Sequence, residues 1–303
     1  MEEKIRKLSK LITRIERNPE ELEKIGTKNE NKLSRIVGFT GSPGSGKSTL
    51  ISAIIECLRK KDKSVAVLAV DPKSPLSGGT FFGDRIRMQK HYLDEKIFIR
   101  SVSGNTKSGI SPSIWNMARV LEIFDFDYIF IESVGTGQSE IDLSFFVDIL
   151  ILVLSPGNGD DIQFLKAGIL EVADIYAINK SDTPEYEKFF NLLSSQPVLD
   201  NRKTLVKVSG ISGNGVADLC ETIDNLWSVL LKNGDLFEKR KKAVLKQAEL
   251  FVIEKLEELV NSKNIPEFRT LREAETFLKE RLINEWRDDR LEYQKDRSHW
   301  NCR

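Results

Sequence analysis

From residue 35 onward, short apolar runs recur along the chain: Ile36–Phe39, Val65–Val70, Ile97–Ile99, Tyr128–Ile131, Ile149–Leu154, Ile175–Ile178 and Leu205–Val208. Each is almost unbroken by polar residues, and segments of helical length lie between most of them. Continuous apolar strands alternating with helices predict an α/β fold whose mainly parallel sheet is covered on both faces. Right-handed crossovers bring the loops that follow the strands to one edge, which is where such sheets hold their ligands.

The two ends of the chain follow a different pattern. Ile5, Leu8, Leu11, Ile12 and Ile15 stand at helical spacing among charged residues, and the helix they predict ends near Asn18-Pro19. The polar stretch 26–34 reads as a linker. After about Leu231 the chain becomes rich in Lys, Arg, Glu and Leu, and 236–260 and 267–292 read as a helical arm broken near Asn264-Ile265-Pro266. Leu245, Ala248, Val252, Leu256 and Leu259 form an apolar stripe that needs a partner surface, in this domain or in a second subunit. The expected division is therefore 1–34, 35–232 and 233–303.

Composition narrows the function classes. Lys+Arg and Asp+Glu both number 46, so the chain lacks the basic excess of a general nucleic-acid binder. Cys57, Cys220 and Cys302 lie far apart with no CxxC pair, which suits a reducing compartment rather than a disulfide framework. The first residues are charged, and even the run Ile149–Leu154 is far too short to span a bilayer. A cytoplasmic protein without membrane association is expected. His91 reads as a surface residue, and His299 with Cys302 offers too few ligands for a metal centre.

Gly41, Ser42, Pro43, Gly44, Ser45, Gly46, Lys47 and Ser48 match GxxxxGK[ST] in full, between the strand Ile36–Phe39 and an apparent helix Ser48–Leu58 that takes in Thr49. Glycines there let the backbone wrap tightly, so that its N–H groups face phosphate oxygens at a helix N-terminus. Lys47 is expected to bridge β- and γ-phosphate oxygens and Ser48 to ligate Mg²⁺. The fold class becomes a three-layer P-loop NTPase with helical extensions at both ends.

Asn179-Lys180-Ser181-Asp182 follows the strand Ile175–Ile178. In NKxD the Asp182 carboxylate can accept guanine N1–H and the exocyclic amine together, an arrangement adenine does not offer, so GTP is expected over ATP. A site left with an unpaired buried acceptor can discriminate by ~10⁴. Lys180 would cover the base, Asn179 would tie this loop to the phosphate loop, and Ser209-Gly210 is the neighbouring base loop. Glu132 ends the strand Tyr128–Ile131 and can hold Mg²⁺ directly or through water; Gly135 can bring a backbone N–H to the γ-phosphate. Gln138 is a candidate for orienting water. Asp71, after Val65–Val70, and Asp84, in Gly83-Asp84-Arg85, are further candidates for the Mg²⁺ shell or for polarising water.

In combination, Gly41–Ser48, Val70-Asp71-Pro72-Lys73-Ser74-Pro75, Gly83–Met88, Glu132–Glu140 and Asn179–Asp182 resemble the MeaB/ArgK family of P-loop GTPases, of the SIMIBI class. The resemblance covers roughly residues 35–232. It implies Mg²⁺ held by Ser48, Asp71, Asp84 and Glu132, with Lys47, Asp71 and Glu132 at the reaction centre. It also implies a communicating loop at Pro156–Gln163, a homodimer built through the helical extensions, and a chaperone role toward an adenosylcobalamin-dependent acyl-CoA mutase. Some members carry an older label as kinases of lysine/arginine/ornithine transport. A third possibility, a nickel-insertion GTPase, would need His-rich or CxxC segments that this chain lacks. Lys73 stands where the family more often has a small polar residue.

Overall fold

The computed structural model describes residues 2–18, 21–22, 33–71, 89–91, 93–103, 113–133, 139–157, 169–194, 204–261 and 265–284. The chain divides into two units, Met1–Val244 and Leu245–Arg303. In the first, seven strands form one sheet: β1 (Arg35–Thr40), β2 (Val65–Asp71), β3 (Ile97–Ser103), β4 (Tyr128–Glu132), β5 (Ile149–Leu154), β6 (Ile175–Ile178) and β7 (Thr204–Lys207). Their order is β3-β2-β4-β1-β5-β6-β7, and every neighbouring pair is parallel. All seven apolar runs are strands. The run at Ile97 extends to Ser103 because it pairs with β2 along its whole length, from Val65↔Ile97 to Asp71↔Ser103.

Around the sheet lie α1 (Glu2–Arg17), α2 (Lys47–Lys60), α3 (Ile114–Ile123), α4 (Ser139–Phe145), α5 (Ile169–Val172), α6 (Tyr186–Ser194), α7 (Val216–Asn233) and the start of α8 (Asp235–Val260). Side chains alternate across the strands even where the sequence runs continuously apolar. Val37, Phe39, Val67, Phe130, Ile151, Val153 and Ala177 turn to one face and pack on Leu50, Ile51, Ile54 and Ile55 of α2 and on Leu219, Ile223 and Trp227 of α7. On the other face a Cβ at Gly38 would stand only 3.0 Å from Leu150 and Val147 and 3.2 Å from Leu143, so the strand packs tightly there. Helix α1 buries Leu8, Ile12 and Ile15, three of its five periodic residues, and is tied to β3 where Arg100 donates to Thr13 (3.0 Å) and Glu16 (3.3 Å).

At the N-terminal ends of the central strands a charged cluster is buried. Arg240, on α8, donates through Nε and Nη2 to both oxygens of Asp148 (2.9 and 2.8 Å), through Nη1 to Glu122 (2.9 Å) and through Nη2 to the Ser34 carbonyl oxygen (2.8 Å). Asp148 also accepts from the Ile36 backbone N–H at 3.0 Å, and Glu122 from that of Ser34 at 2.8 Å. Burial works against the guanidinium charge, but the hydrogen bonds to Asp148 and the charges of Asp148 and Glu122 outweigh it, and the Arg240 pKa moves upward. Ser34, assigned on composition to a polar linker, is part of this buried cluster.

In the second unit α8 continues to Val260, and residues 271–284 are helical after an irregular stretch at 265–270. Phe268 and Phe277 pack with ring centroids 5.3 Å apart. Among the described residues, no helix is long and apolar enough to cross a membrane.

Truncating Arg240 leaves the buried Asp148 carboxylate without its guanidinium partner, while Glu122 keeps only Arg119. R240A is expected to lose about 3–5 kcal/mol of stability, read as a lower urea midpoint at unchanged slope. The exposed neighbour K242A should stay within about 0.5 kcal/mol of the parent.

Candidate functional site

The site lies at the C-terminal ends of the strands. The turn after β1 runs through Gly41–Gly46 into α2, and Gly46 takes φ 90°, a left-handed conformation that L side chains rarely adopt. A Cβ on Gly46 would also run into Asn179 Nδ2. Lys47 folds back over the loop and donates from Nζ to the carbonyl oxygens of Gly41 (2.7 Å) and Ser42 (3.1 Å). Sheet register sets Glu132 beside Phe39 of β1 and Ala69 of β2. Its buried carboxylate there accepts a hydrogen bond from the Ser48 hydroxyl at 2.7 Å.

Asn179 joins the loops. Its backbone N–H donates to Leu154 O at the end of β5 (2.7 Å), its Nδ2 to Ser45 O in the phosphate loop (2.8 Å), and its Oδ1 accepts from Gly210 N (3.0 Å). The orientation of the amide follows from its partners, a carbonyl on one side and an N–H on the other. Gly210 lies so close to α2 that a Cβ there would stand 2.9 Å from Leu50 N. Lys180 turns the chain with φ 61°, and its carbonyl accepts from Thr183 N (3.0 Å) and Thr183 Oγ1 (2.9 Å). Ser181 N donates to Val208 O at 3.0 Å, which binds the turns after β6 and β7 together.

These turns enclose a cavity of about 460 Å³. Pro43, Gly44, Gly46, Lys47, Ser48 and Thr49 line its phosphate end, with Glu132 and Ser133 beside them. Lys180, Asp182, Ser209 and Gly210 line the other end, with Asn179 in the wall. Gly41, Ser42 and Ser45 form the body of the loop behind that lining. Asp71 ends β2 at the same edge of the sheet. The expectations for Asp84, Gly135, Gln138 and most of Pro156–Gln163 fall outside the described residues.

Sequence patterns missed three features. Val70, Thr183 and Ile211 also line the cavity; Ile211 directly follows Ser209-Gly210, and that adjacency was the signal. His91 is not a surface residue: it is buried and shares a 2.8 Å hydrogen bond with Ser52 Oγ on α2. Burial and the Lys90 charge hold its pKa below the usual histidine value. Lys90–Glu56 and Arg59–Asp94 pairs flank it, so the stretch entering β3 is fastened along α2.

A parallel three-layer sheet with a glycine-rich loop and a second, asparagine-anchored loop at one edge defines an α/β P-loop nucleotide-binding protein. Comparison with known proteins narrows the class. Residues 8–265 match the family described as methylmalonyl Co-A mutase-associated GTPase MeaB. A Pyrococcus horikoshii protein named as a GTPase is 37% identical over 259 residues, covering 82% of this chain and 81% of its own. The mouse mitochondrial methylmalonic aciduria type A homolog is 35% identical over 225 residues, 70% of this chain and 54% of the relative. A crystal structure titled LAO/AO transport system kinase superposes with a TM-score of 0.62 at 25% identity, covering 86% of each chain. The chain belongs to the MeaB family of GTPases.

G46A forces a strained φ and a collision with the asparagine that links the loops. It should weaken GDP binding by at least about tenfold, measured by calorimetry, while circular dichroism remains that of the parent.

Proposed function

We propose that this chain is a Mg²⁺-dependent enzyme that hydrolyses GTP to GDP and phosphate, and that it acts as a chaperone for cofactor loading and protection of an adenosylcobalamin-dependent acyl-CoA mutase of the methylmalonyl-CoA type. The observation that carries the nucleotide part is the Asn179 amide, which holds the phosphate loop and both turns of the base end around one cavity. Gly41–Thr49 would bind the phosphates. Asn179, Lys180, Asp182, Ser209 and Gly210 would hold guanine, with Asp182 reading its N–H edge.

The donor set at the phosphate end suits a hard cation. A hydroxyl and a carboxylate meet at Ser48 and Glu132, and Mg²⁺ needs only one or two protein oxygens beside phosphate and water. Asp71 and Asp84 complete the proposed ligand set, on family resemblance. Bound Mg²⁺ would neutralise charge on the β- and γ-phosphates. The chain's own part is to position and stabilise. Water attacks the γ-phosphate in line; Lys47 exchanges its carbonyl partners for phosphate oxygens, and loop N–H groups take up the developing charge. Glu132 and Asp71 act as the carboxylates of the reaction centre, and Gly135 as the contact that distinguishes GTP from GDP.

The mutase partner is supported by the family description and by the mouse relative's name. A homodimer is supported by α8, which exposes Leu245, Ile253 and Val260. The sparse cysteines support a cytoplasmic location. The kinase title of the similar crystal structure supplies the second reading, transfer of phosphate to an acceptor. Labelled γ-phosphate separates the two: free phosphate alone is expected, and a labelled acceptor would establish the kinase.

Two tests address the base and the client. Asp182→Asn should lose GTP and gain xanthosine nucleotides; an unchanged preference refutes the guanine assignment. A pull-down in GTP and then GDP should capture an acyl-CoA mutase in a nucleotide-dependent manner. Capture of a nickel enzyme instead would remove the mutase from the proposal.

A further inference from the structure

Cys57 and Cys220 are far apart in sequence, yet the fold brings them into one packing layer. Cys57 stands on α2 and Cys220 on α7, two helices that pack directly against each other over one face of the sheet. There Leu50, Ile54 and Leu58 share an apolar cluster with Leu219, Ile223 and Trp227. Cys220 is buried in that cluster, and Cys57, half-buried, packs against it. The two thiols lie within hydrogen-bonding reach of each other, and neither is in a disulfide. Burial and the adjoining Cys57 thiol push the Cys220 pKa up, so Cys220 stays protonated. Neither residue lines the nucleotide cavity, and among the described residues no third ligand joins them to make a metal centre.

We propose that Cys57 and Cys220 form a reversible redox site, a dithiol that a peroxide converts into a disulfide joining α2 to α7. Cys57 is the thiol a small oxidant can reach. Its thiolate sulfur attacks one peroxide oxygen, the O–O bond breaks, and hydroxide leaves. The Cys220 sulfur then attacks the Cys57 sulfenic acid; the S–O bond breaks, and the departing hydroxide takes the Cys220 proton as water. In balance, two thiols lose two electrons and two protons, and one peroxide becomes two waters. A dithiol reductant reverses the change, so the bond suits the transient disulfides of a reducing compartment. Helix α2 starts in the phosphate loop at Lys47, and α7 starts at Val216, soon after the turn at Ser209-Gly210. The disulfide therefore fastens together the helices behind both ends of the cavity. It also closes a long loop in the unfolded chain, which stabilises the folded one.

The folded protein is treated with hydrogen peroxide, quenched, denatured, and its remaining thiols are titrated. The reduced chain carries three cysteines, and only Cys302 should stay reactive afterwards. The mass should fall by about 2 Da, peptide mapping should recover residues 57 and 220 in one linked pair, and dithiothreitol should restore every thiol. Thermal unfolding of the oxidised form should shift upward by roughly 5 °C. C302S should behave as the parent does. C57S, a conservative change at a half-buried position, should give no link and no upward shift. Full thiol content after treatment would overturn the proposal, as would Cys57 carried to sulfinic acid without a link, or a link made through Cys302. A 57–220 link that forms only in urea would overturn it as well, because the pairing would then belong to the unfolded chain.

Discussion

The nucleotide edge of this protein depends on one buried side-chain amide being satisfied on both sides. Asn179 stands at the end of β6, its backbone already hydrogen-bonded to β5, and its carboxamide reaches one loop with its nitrogen and another with its oxygen. Each loop has hydrogen bonds of its own, from Lys47 to Gly41 and Ser42 in one and between Ser209 and Asn214 in the other. The amide fixes one against the other, because an unmade hydrogen bond in this dry location costs about 1–3 kcal/mol, more than the net gain from an ordinary one. The glycines at 46 and 210 follow from the same constraint, since the amide and helix α2 approach the backbone where a Cβ would stand. The parallel sheet supplies the rest: it brings the ends of β1, β4, β5, β6 and β7 to a single edge, flanking the central strand where the connections change direction.

The opposite edge works by a different physical rule. There Arg240, Asp148 and Glu122 are out of water and paired, with backbone N–H and C=O groups, the Arg119 guanidinium and the Trp227 indole N–H filling further hydrogen-bonding positions. A cluster of this kind adds little net stability compared with an apolar substitute, but it penalises any arrangement in which one member is displaced. Lys239 extends the cluster by donating to the Asp148 carbonyl oxygen at 2.9 Å and pairing with Asp174. The first turns of α8 are thereby fixed in one register under the sheet. One end of the domain is polar and open for a ligand, the other polar and closed.

Most of the sheet was legible in the sequence because burial on both faces demands continuous apolar runs, which are rare elsewhere in a chain this charged. The phosphate loop and NKxD were legible because their chemistry depends on local spacing, and the structure brings Lys47, Ser48, Glu132, Asn179, Lys180 and Asp182 to one cavity. What stayed hidden is polar and long-range. Arg240 sits in a run of lysines that reads as solvated surface, and its partners lie at 34, 122 and 148. His91 has no local pattern that announces Ser52 as its neighbour. Ile211 looks like one more apolar residue until its exposure at the cavity is seen.

The charge cluster also constrains how the protein is made. Glu122 has Arg119 beside it on its own helix, but Asp148 is synthesised well before the guanidinium that neutralises it, so a nascent chain stopped anywhere short of residue 240 lacks that partner at the base of the sheet. Domains tend to fold as units during translation, and closing contacts this distant in sequence is slow. The sheet therefore cannot complete this packing ahead of the first turns of α8. The ribosome delivers the last fastening of the nucleotide-binding fold together with the first turns of the helix that leads out of it.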